Sequence, residues 1–389
     1  MKLGVNTLFL VPGDVGGTET YLRETLLAAV SEYPGVEFIL FTNRENHSLF
    51  RELFAGKDNV RCVCLQFKAS RRPLRILLEQ FLLPFSVKKH CTDILWSPGY
   101  TAPFFSFCPQ VVTVCDLQYK KFPEDMSRLE RAVLDFLVRG ACRQCDAVLA
   151  ISEFSRQELI NHNFADARKI HTHLLGVDSS FGVSVAENEK QQCLQKLSLD
   201  KPYILCVAHS YPHKKIEVLI KAFAEIEDDI PHNLVVVGRP RRGEHLINVA
   251  LESLKGKDRY FRFNEGLPYR TLQVLFQAAD MFVLPSAYEG FGLPVIEAML
   301  AGVPVITTRE GALKEITGSY AFYVDRINSQ NFSEQMLKVS LLSGEERAAK
   351  VIAAKQWAKS FTWKKSAQNM FDVFNNVINI PTEPNIKKR

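Results

Sequence analysis

Short apolar runs of strand length alternate with longer amphipathic segments along almost the whole chain. After the first run, Leu22, Leu26 and Val30 recur at the spacing of one helix face. In the first half, strands are predicted at 2–11, 36–41, 60–65, 93–96, 110–114 and 147–151, and helices at 18–31, 46–55, 73–90 and 127–143. This regular alternation is typical of a parallel sheet covered by helices on both faces.

A second series follows a polar stretch at 187–200, which is predicted to hold a domain linker and one short helix. Its strands are predicted at 203–207, 234–237, 260–263, 281–284, 303–307 and 321–324, and its helices at 214–226, 268–279, 329–342, 344–359 and 363–378. A chain of 389 residues exceeds the usual size of one core. We predict an α/β protein of two doubly wound domains, residues 1–180 and 181–360, then a last helix within 361–380 and a disordered tail at 381–389.

The candidate chemistry centres on the stretch LPSAYEGFGLPVIEAMLA, residues 284–301. A predicted strand ends here, and Glu289 and Glu297 follow it with glycines between them. Pro294 suits the first turn of a helix, in which Glu297 is the only charged residue. A buried carboxylate is costly unless it is paired, although Glu297 alone is also compatible with a solvated helix end. The whole pattern predicts a ligand crevice at the carboxyl end of a parallel strand.

Two further strand ends carry candidate ligand groups. The glycine loop 13–17 joins the first strand to its helix, and it is compatible either with simple turn geometry or with a phosphate or acceptor contact. The run HSYPHKK, residues 209–215, predicts a positive site for a diphosphate, with Lys214 in contact and Lys215 solvated. The alternative for this run is a solvated basic helix start. The loop is not GxGxxG, which disfavours a nicotinamide dehydrogenase.

The run VVTVCD, residues 111–116, places Cys115 and Asp116 at the end of a first-half strand. Asp116 is also compatible with a turn cap, and Cys115 with simple packing. No neighbouring histidine supports a Cys-His nucleophile. The chain shows no P-loop, no Ser-His-Asp arrangement and no Asp-x-Asp pair, so we expect a mechanism without a metal ion.

Charge and cysteine content narrow the class of protein further. The net charge of +5 fits anionic partners such as phosphates or lipid headgroups, and it is too small to predict nucleic-acid binding. The nine cysteines are scattered, and the CxxC at Cys142 and Cys145 lacks a second pair of zinc ligands. With no apolar run of about 18–20 residues and no basic leader, we expect a reduced cytoplasmic protein, neither secreted nor integral to a membrane.

A basic and apolar segment at 68–89 leaves two interpretations open. Its only acid is Glu79, and its cations are Lys68, Arg71, Arg72, Arg75, Lys88 and Lys89. It is either a core-facing helix with solvated charges or a peripheral contact with anionic lipid headgroups on the inner face of the plasma membrane.

The stretch LPSAYEGFGLPVIEAMLAGVPVI resembles the donor-site signature of the retaining glycosyltransferases of family four, which have the GT-B fold. The resemblance extends over nearly the whole chain, through the Gly16-Gly17 loop, TVCDLQYKKFPE, AVLAISEFSRQEL, PHKK and the FTW at 361–363. It implies two Rossmann-like domains that face a cleft, with the C-terminal helix packed back on the first. The first domain would take the acceptor, and the second a nucleotide-diphosphate sugar as donor substrate, with no cofactor.

The resemblance also implies the role of each site residue. Glu297 would hold the ribose hydroxyls, Glu289 the transferring sugar and Lys214 the departing diphosphate. The expected donor-binding set is Gly16, Gly17, His209, Lys214, Gly238, Leu267, Glu289, Gly290, Phe291, Gly292, Leu293 and Glu297. The expected catalytic set is Glu289, Lys214, Cys115 and Asp116.

Two positions depart from the family pattern. Cys115 stands where the family usually has a histidine, and His209, a group only partly charged at neutral pH, stands in place of an arginine. We expect an active, metal-independent hexosyltransferase of surface polysaccharide or lipopolysaccharide synthesis, with a glycan or lipid-linked acceptor. The run DLQYKKFPE is similar to the mannosyltransferase-like branch, so GDP-mannose or a UDP-sugar is the expected donor. The alternative is a non-catalytic GT-B protein that binds sugar nucleotide or partners an active transferase.

Overall fold

The structure is a computed structural model that describes residues 1–14 and 16–379, with only the backbone described at Asp125. The tail predicted to be disordered, 381–389, lies outside the described residues. Contacts divide the chain into two compact units. The first comprises Met1–Leu117, Ser127–Gly176 and the segment that begins at Trp363, and the second comprises Gln118–Met126 and Val177–Thr362.

The strands and helices are numbered in chain order. The strands are β1 (Lys2–Asn6), β2 (Glu37–Thr42), β3 (Val60–Cys64), β4 (Ile94–Ser97), β5 (Gln110–Val114), β6 (Ala147–Ala150), β7 (Ile170–Thr172), β8 (Tyr203–Val207), β9 (Asn233–Val237), β10 (Tyr260–Phe263), β11 (Met281–Leu284), β12 (Val305–Thr307) and β13 (Phe322–Tyr323). The helices are α1 (Gly17–Glu32), α2 (His47–Leu53), α3 (Arg72–Lys89), α4 (Gln118–Lys121), α5 (Arg128–Gln144), α6 (Glu153–Asn161), α7 (Glu187–Lys196), α8 (Ile216–Ile226), α9 (Glu244–Ala250), α10 (Tyr269–Ala278), α11 (Leu293–Ala301), α12 (Leu313–Thr317), α13 (Ser329–Ser340), α14 (Gly344–Ala358) and α15 (Trp363–Asn379).

Within the described residues, the strands form two sheets in which every pairing is parallel. The sheet of the first unit has the order β3-β2-β1-β4-β5-β6-β7, and that of the second has the order β10-β9-β8-β11-β12-β13. In both, the order reverses next to the first strand, which is the doubly wound arrangement. The predicted α/β class with two Rossmann-like sheets is confirmed.

The first strand is shorter than its apolar sequence predicts. Strand β1 ends at Asn6, and the next residues turn, with the Leu10 N–H donating to the carbonyl of Thr7 at 3.1 Å. Leu8 and Leu10 remain buried, so this run is apolar because it enters the core and not because it is extended. Periodicity alone cannot separate these two causes in a short apolar run.

The last helix packs against the first one. The ring of Phe371 on α15 stacks on Tyr33 at the end of α1, with centroids 3.8 Å apart, and Lys364 pairs with Glu32 at 2.7 Å. Deeper in the unit, Ser366 lies within hydrogen-bonding distance of His173, at 3.3 Å. The predicted return of the C-terminal helix to the first domain is confirmed.

The described helices include none that combines the length and the hydropathy needed to cross a membrane.

We predict that Phe371→Ala lowers the free energy of unfolding by about 3–5 kcal/mol, because it removes a buried aromatic side chain and leaves a cavity between α15 and its neighbours. Denaturant unfolding measures this loss. The exposed Asn375→Ala on the same helix is the matched control and should shift the midpoint little. Equal, small losses from both variants would show that α15 contributes no packing energy to the first unit.

Candidate active site

Four loops that carry predicted site residues leave the same edge of the second sheet. His209 follows β8, Gly238 follows β9, Leu267 lies beyond β10, and Glu289 lies in the loop after β11. Because the strands are parallel, their carboxyl ends lie along one edge. The strand order reverses between β8 and β11, so His209 and Glu289 lie in the loops that follow two adjacent strands.

Lys214 and Glu289 form the central contact of this edge. Residues Pro212–Lys214 make a single 3-10 turn that buries His213, while Lys214 Nζ lies 2.6 Å from Glu289 Oε1. Ser286 Oγ donates to the same carboxylate oxygen at 2.7 Å. Lys215 instead adopts a left-handed conformation, φ +54°, and lies 3.7 Å from Glu217. The two lysines therefore have different partners, and Lys215 is half-buried against Glu217 although the sequence predicted it to be solvated.

The backbone of Glu289 is fixed by the segment after β12. The Ala312 N–H donates to the Glu289 carbonyl at 2.9 Å, and Thr308 Oγ1 donates to the Ser286 carbonyl at 2.7 Å. Gly311 has φ +63°, and a Cβ there would lie 2.4 Å from the Glu289 carbonyl oxygen. Only glycine permits this close approach, so the loop that aims Glu289 is held by backbone as well as by its side chain.

The glycine-rich turn leads directly into α11. Gly292 caps the helix with φ +96°, and a Cβ there would lie 2.9 Å from the side chain of Leu313. No side chain caps the first N–H groups of α11, and such groups attract oxygen atoms of ligands. Gly290 and Phe291 are buried beside them, and Leu293 begins the helix. The predicted backbone donors thus lie together in one turn.

Glu297 lies one turn into α11, flanked by the buried Ile296 and Ala298. Among residues 1–14 and 16–379, no hydrogen-bond or ion-pair partner is found for its carboxylate. Burial, with the nearby Asp178 carboxylate, raises the pKa of Glu297 to about 8. Asp178 itself accepts a hydrogen bond from the Tyr269 hydroxyl. The side chain is therefore protonated at neutral pH until a partner that donates hydrogen bonds favours its charged form.

His209 is neutral rather than partly charged. Its Nδ1 accepts a hydrogen bond from the Arg239 backbone N–H at 3.0 Å. Burial, together with the positive charges of Arg241 and Lys214, lowers the pKa of His209 to about 4. The predicted partial charge at neutral pH is therefore wrong, because the imidazole is buried and also lies among cations. The remaining proton is on Nε2, which can donate one hydrogen bond.

The sequence analysis did not name three arginines that lie near His209 in the candidate site. Arg239, Arg241 and Arg262 all bear on His209 electrostatically, and the Arg241 N–H donates to Ser210 Oγ at 2.6 Å. The run GRPRRG directly after β9 was an available signal for the first two. No sequence pattern marked Arg262, because it lies within β10. Its guanidinium lies 3.5 Å from the carboxylate of Glu244.

Gly238 allows two of these loops to approach. It has φ +148°, and a Cβ there would lie 2.1 Å from the Ala208 carbonyl oxygen. Any side chain would therefore force the loop after β9 away from the loop after β8. The predicted role of Gly238 at the site is consistent with this close approach.

The remaining predicted residues belong to the first unit. Cys115 is buried just after β5, and its carbonyl accepts a hydrogen bond from Ser155 Oγ at 2.8 Å. Burial, with the Asp116 charge, raises the pKa of Cys115 to about 12, so the group is a neutral thiol at pH 7. Gly16 caps α1 with φ +56°, and a Cβ on Gly17 would meet no atom within 4 Å.

No group of three or more His, Cys, Asp or Glu side chains in the described part of the chain is arranged to hold a metal ion. The nine cysteines, all of which are described, are free.

Two family models match the chain. Residues 15–181 match the model described as Glycosyltransferase Family 4, and residues 188–357 match Glycosyl transferases group 1. The chain is 29% identical over 311 residues to O-antigen chain mannosyltransferase B of Escherichia coli, covering 78% of this chain and 81% of that protein. It is 26% identical over 266 residues to O-antigen chain mannosyltransferase RfbU of Salmonella typhimurium, covering 68% and 69%.

The fold also matches solved structures. The crystal structure of HepE from Anabaena in complex with UDP-glucose superposes with a TM-score of 0.75 at 19% identity, over 97% of this chain and 100% of that one. Likeness at this identity concerns the fold alone, and it confirms the GT-B class predicted from the sequence.

We predict that Glu297→Gln stabilises the ligand-free protein in a pH-dependent way. The unfolded chain ionises Glu297 near its ordinary value of 4.5, whereas the folded protein holds the proton up to about pH 8. Wild-type stability contributed by this group is therefore present below pH 4.5 and is lost as pH rises toward 8. Glutamine has no charge to bury, so the melting temperatures of wild type and Glu297→Gln should agree near pH 4.5 and differ by several degrees near pH 8.5. Each kcal/mol of stability corresponds to about 2–4 °C in melting temperature.

The exposed Glu334→Gln on α13 is the control for this comparison. A constant difference between wild type and Glu297→Gln across the pH series would contradict the raised pKa of Glu297.

Cys115 should resist alkylation at pH 7, because it is buried and protonated and only a thiolate is strongly nucleophilic. Iodoacetamide labelling read by mass spectrometry should modify the exposed Cys91 and leave Cys115 unmodified in the folded protein. Labelling after unfolding, when both should react, is the internal control. Rapid modification of native Cys115 would indicate a reactive thiolate instead.

Proposed function

Because this chain belongs to the glycosyl transferases group 1 family, the retaining GT-B glycosyltransferases of family four, we propose that it is a metal-independent hexosyltransferase. Its donor would be a nucleotide-diphosphate sugar, and its acceptor a glycan or lipid-linked glycan. The observation that carries the proposal is the contact between Lys214 and Glu289, 2.6 Å apart beside the uncapped start of α11. A cation, a carboxylate and backbone N–H groups at one strand edge suit a phosphorylated sugar.

In this proposal, the second unit would supply a complementary group for the ribose, the diphosphate and the hexose of the donor. Glu297 has an unsatisfied carboxylate, and the vicinal hydroxyls of a ribose would donate to its charged form. Lys214 would leave Glu289 for the diphosphate, which carries more negative charge than one carboxylate. Glu289, still held by Ser286, would then accept hydrogen bonds from the hydroxyls of the hexose.

Arg241 and Arg262 supply positive charge that His209 does not. Both lie close enough to lower the pKa of His209, so the diphosphate region is electropositive although the imidazole is neutral. Permanent guanidinium charges suit phosphate oxygens well. This arrangement favours an active site over the alternative, a protein that binds sugar nucleotide without turning it over.

Retention of configuration follows from attack on the face from which the leaving group departs. In the proposed step, the acceptor hydroxyl oxygen bonds to the anomeric carbon while the bond from that carbon to the phosphate oxygen breaks. The acceptor proton passes to the departing phosphate oxygen, and Lys214 stabilises the negative charge that develops there. Acceptor binding is assigned to the first unit, where Gly16, Gly17, Cys115 and Asp116 follow the ends of β1 and β5.

We assign mannose as the transferred sugar and GDP-mannose as the donor, in the synthesis of a surface polysaccharide. Two relatives named as O-antigen chain mannosyltransferases support this assignment. The structural likeness to a complex with UDP-glucose supports a sugar nucleotide in general and makes a UDP-sugar the second candidate.

A donor screen tests the assignment directly. Thermal shifts with GDP-mannose, UDP-glucose, ADP-glucose and dTDP-glucose rank the donors, because a ligand of the folded state raises its stability by mass action. Release of GDP from GDP-mannose, alone or with mannose-containing acceptors, then measures turnover. Binding without turnover across a broad acceptor panel would favour the non-catalytic alternative.

Three variants test the roles within the site. Lys214→Ala and Glu289→Gln should each lower kcat by about 10²–10³, the usual loss when one preorganised charge or donor is removed. Glu297→Gln should act mainly through KM for the donor, because it removes a contact with a part of the donor that does not react. Lys215→Ala, on the adjacent lysine that lies against Glu217, is the matched control and should retain full activity. Unchanged turnover in Lys214→Ala would exclude this site assignment.

A further inference from the structure

Helix α3 of the first unit buries its acidic residue in the core. Glu79, the only acidic residue of α3, is buried and accepts hydrogen bonds from Asn6 Nδ2 at 3.0 Å and Thr101 Oγ1 at 2.9 Å. Asn6 also bonds to Ser97, so this network joins the carboxyl ends of β1 and β4. Burial raises the pKa of Glu79, while the nearby Arg75 opposes this change. The polar network determines which face of α3 is turned toward the sheet.

The opposite face of α3 exposes large apolar side chains. Leu77, Phe81 and Phe85 follow one another at four-residue spacing and are 55%, 64% and 57% exposed. The interpretation of this segment as a core-facing helix is therefore wrong for much of its apolar side. A surface helix of a globular protein normally turns such residues toward the core, and here they face solvent.

Neighbouring segments extend this apolar face. The rings of Phe105 and Phe107 lie 6.2 and 5.8 Å from Phe85, and both remain nearly half exposed. On α5, Phe136 is 66% exposed and its ring lies 5.7 Å from the ring of Phe104. Phe104 is in turn tied to α3, because its N–H donates to Gln80 at 2.9 Å. We name these six residues the phenylalanine surface: Leu77, Phe81, Phe85, Phe105, Phe107 and Phe136.

Cations flank the phenylalanine surface at both ends of α3. Exposed basic side chains precede the helix or form its first turn, and two more end it: Lys68, Arg71 and Arg72, then Lys88 and Lys89. Lys88 Nζ lies 4.5 Å from the centroid of the Phe107 ring. The only acid of α3 is withdrawn into the core, so the helix itself presents no negative charge to solvent, although Arg72 lies 3.5 Å from Glu130 of α5. An apolar centre between cationic ends complements an anionic lipid bilayer surface.

We infer that the phenylalanine surface is a docking site for anionic membranes, on which the protein lies peripherally. The aromatic and leucine side chains enter the boundary between headgroups and acyl chains, and the flanking lysines and arginines bind lipid phosphates. Exposed apolar patches of this kind on a single chain mark an interaction surface. The inference concerns the first unit and does not depend on the identity of the donor.

Vesicle sedimentation of the full-length protein tests this inference. Wild-type protein should sediment with phosphatidylcholine vesicles that contain phosphatidylglycerol and much less with phosphatidylcholine alone. The double variant Phe81→Ser/Phe85→Ser should lose at least about tenfold in binding to the anionic vesicles, because two large apolar groups no longer enter the bilayer. The double variant Arg71→Gln/Arg72→Gln should lose a similar factor, since each cation near an anionic surface contributes about fivefold.

Leu341→Ser is the matched control, because Leu341 is 82% exposed on the second unit and lies outside the phenylalanine surface. It should leave vesicle binding unchanged. Thermal shift by the donor should be the same in all variants, which separates this test from that of the proposed function.

Three results would overturn the inference. The first is wild-type protein that binds neither kind of vesicle. The second is a Phe81→Ser/Phe85→Ser variant that binds anionic vesicles as tightly as wild type. The third is a Phe81→Ser/Phe85→Ser variant that still binds vesicles but has a different molar mass from wild type in light scattering. This result would make the phenylalanine surface a contact between two copies of the chain.

Discussion

The parallel order of the second sheet is the constraint on which the candidate site depends. Parallel strands deliver every following loop to one edge, and the reversal of order between β8 and β11 separates the helices that would otherwise close that edge. Residues that lie 75 positions apart, Lys214 and Glu289, meet there with no other element between them. The glycines at 238, 292 and 311 then act together, because each removes a side chain where two of these loops must touch.

Charge at this edge is distributed in an unusual way. The neutral His209 lies among cations that hold it deprotonated, so it acts as a hydrogen-bonding group and the arginines supply the field. Glu297 is the converse, an acid that its surroundings keep protonated in the absence of ligand. Lys214 is already paired. A phosphorylated ligand would therefore have to draw Lys214 away from Glu289.

Periodicity predicted twelve of the thirteen strands in the described part of the chain, and it gave four of them, β5, β8, β10 and β11, the bounds that they have. These strands are short apolar runs that end in clear turn residues. Periodicity missed α4, α6 and the edge strand β7, gave no bounds for the short helices α9 and α12, and extended β1 through a buried turn. It could predict that α3 is amphipathic, but not which side faces the sheet. That choice depends on Glu79 reaching Asn6 and Thr101, contacts between residues far apart in the sequence.

The route of the chain between the two units has a further consequence. Residues 118–126 belong to the second unit although they interrupt the first, and α15 returns to the first unit after the second is complete. The backbone thus passes from one unit to the other at four junctions: 117–118, 126–127, 176–177 and 362–363. No single cut can release either unit intact. Exchange of one unit for that of a relative would therefore require matched joints at all four junctions.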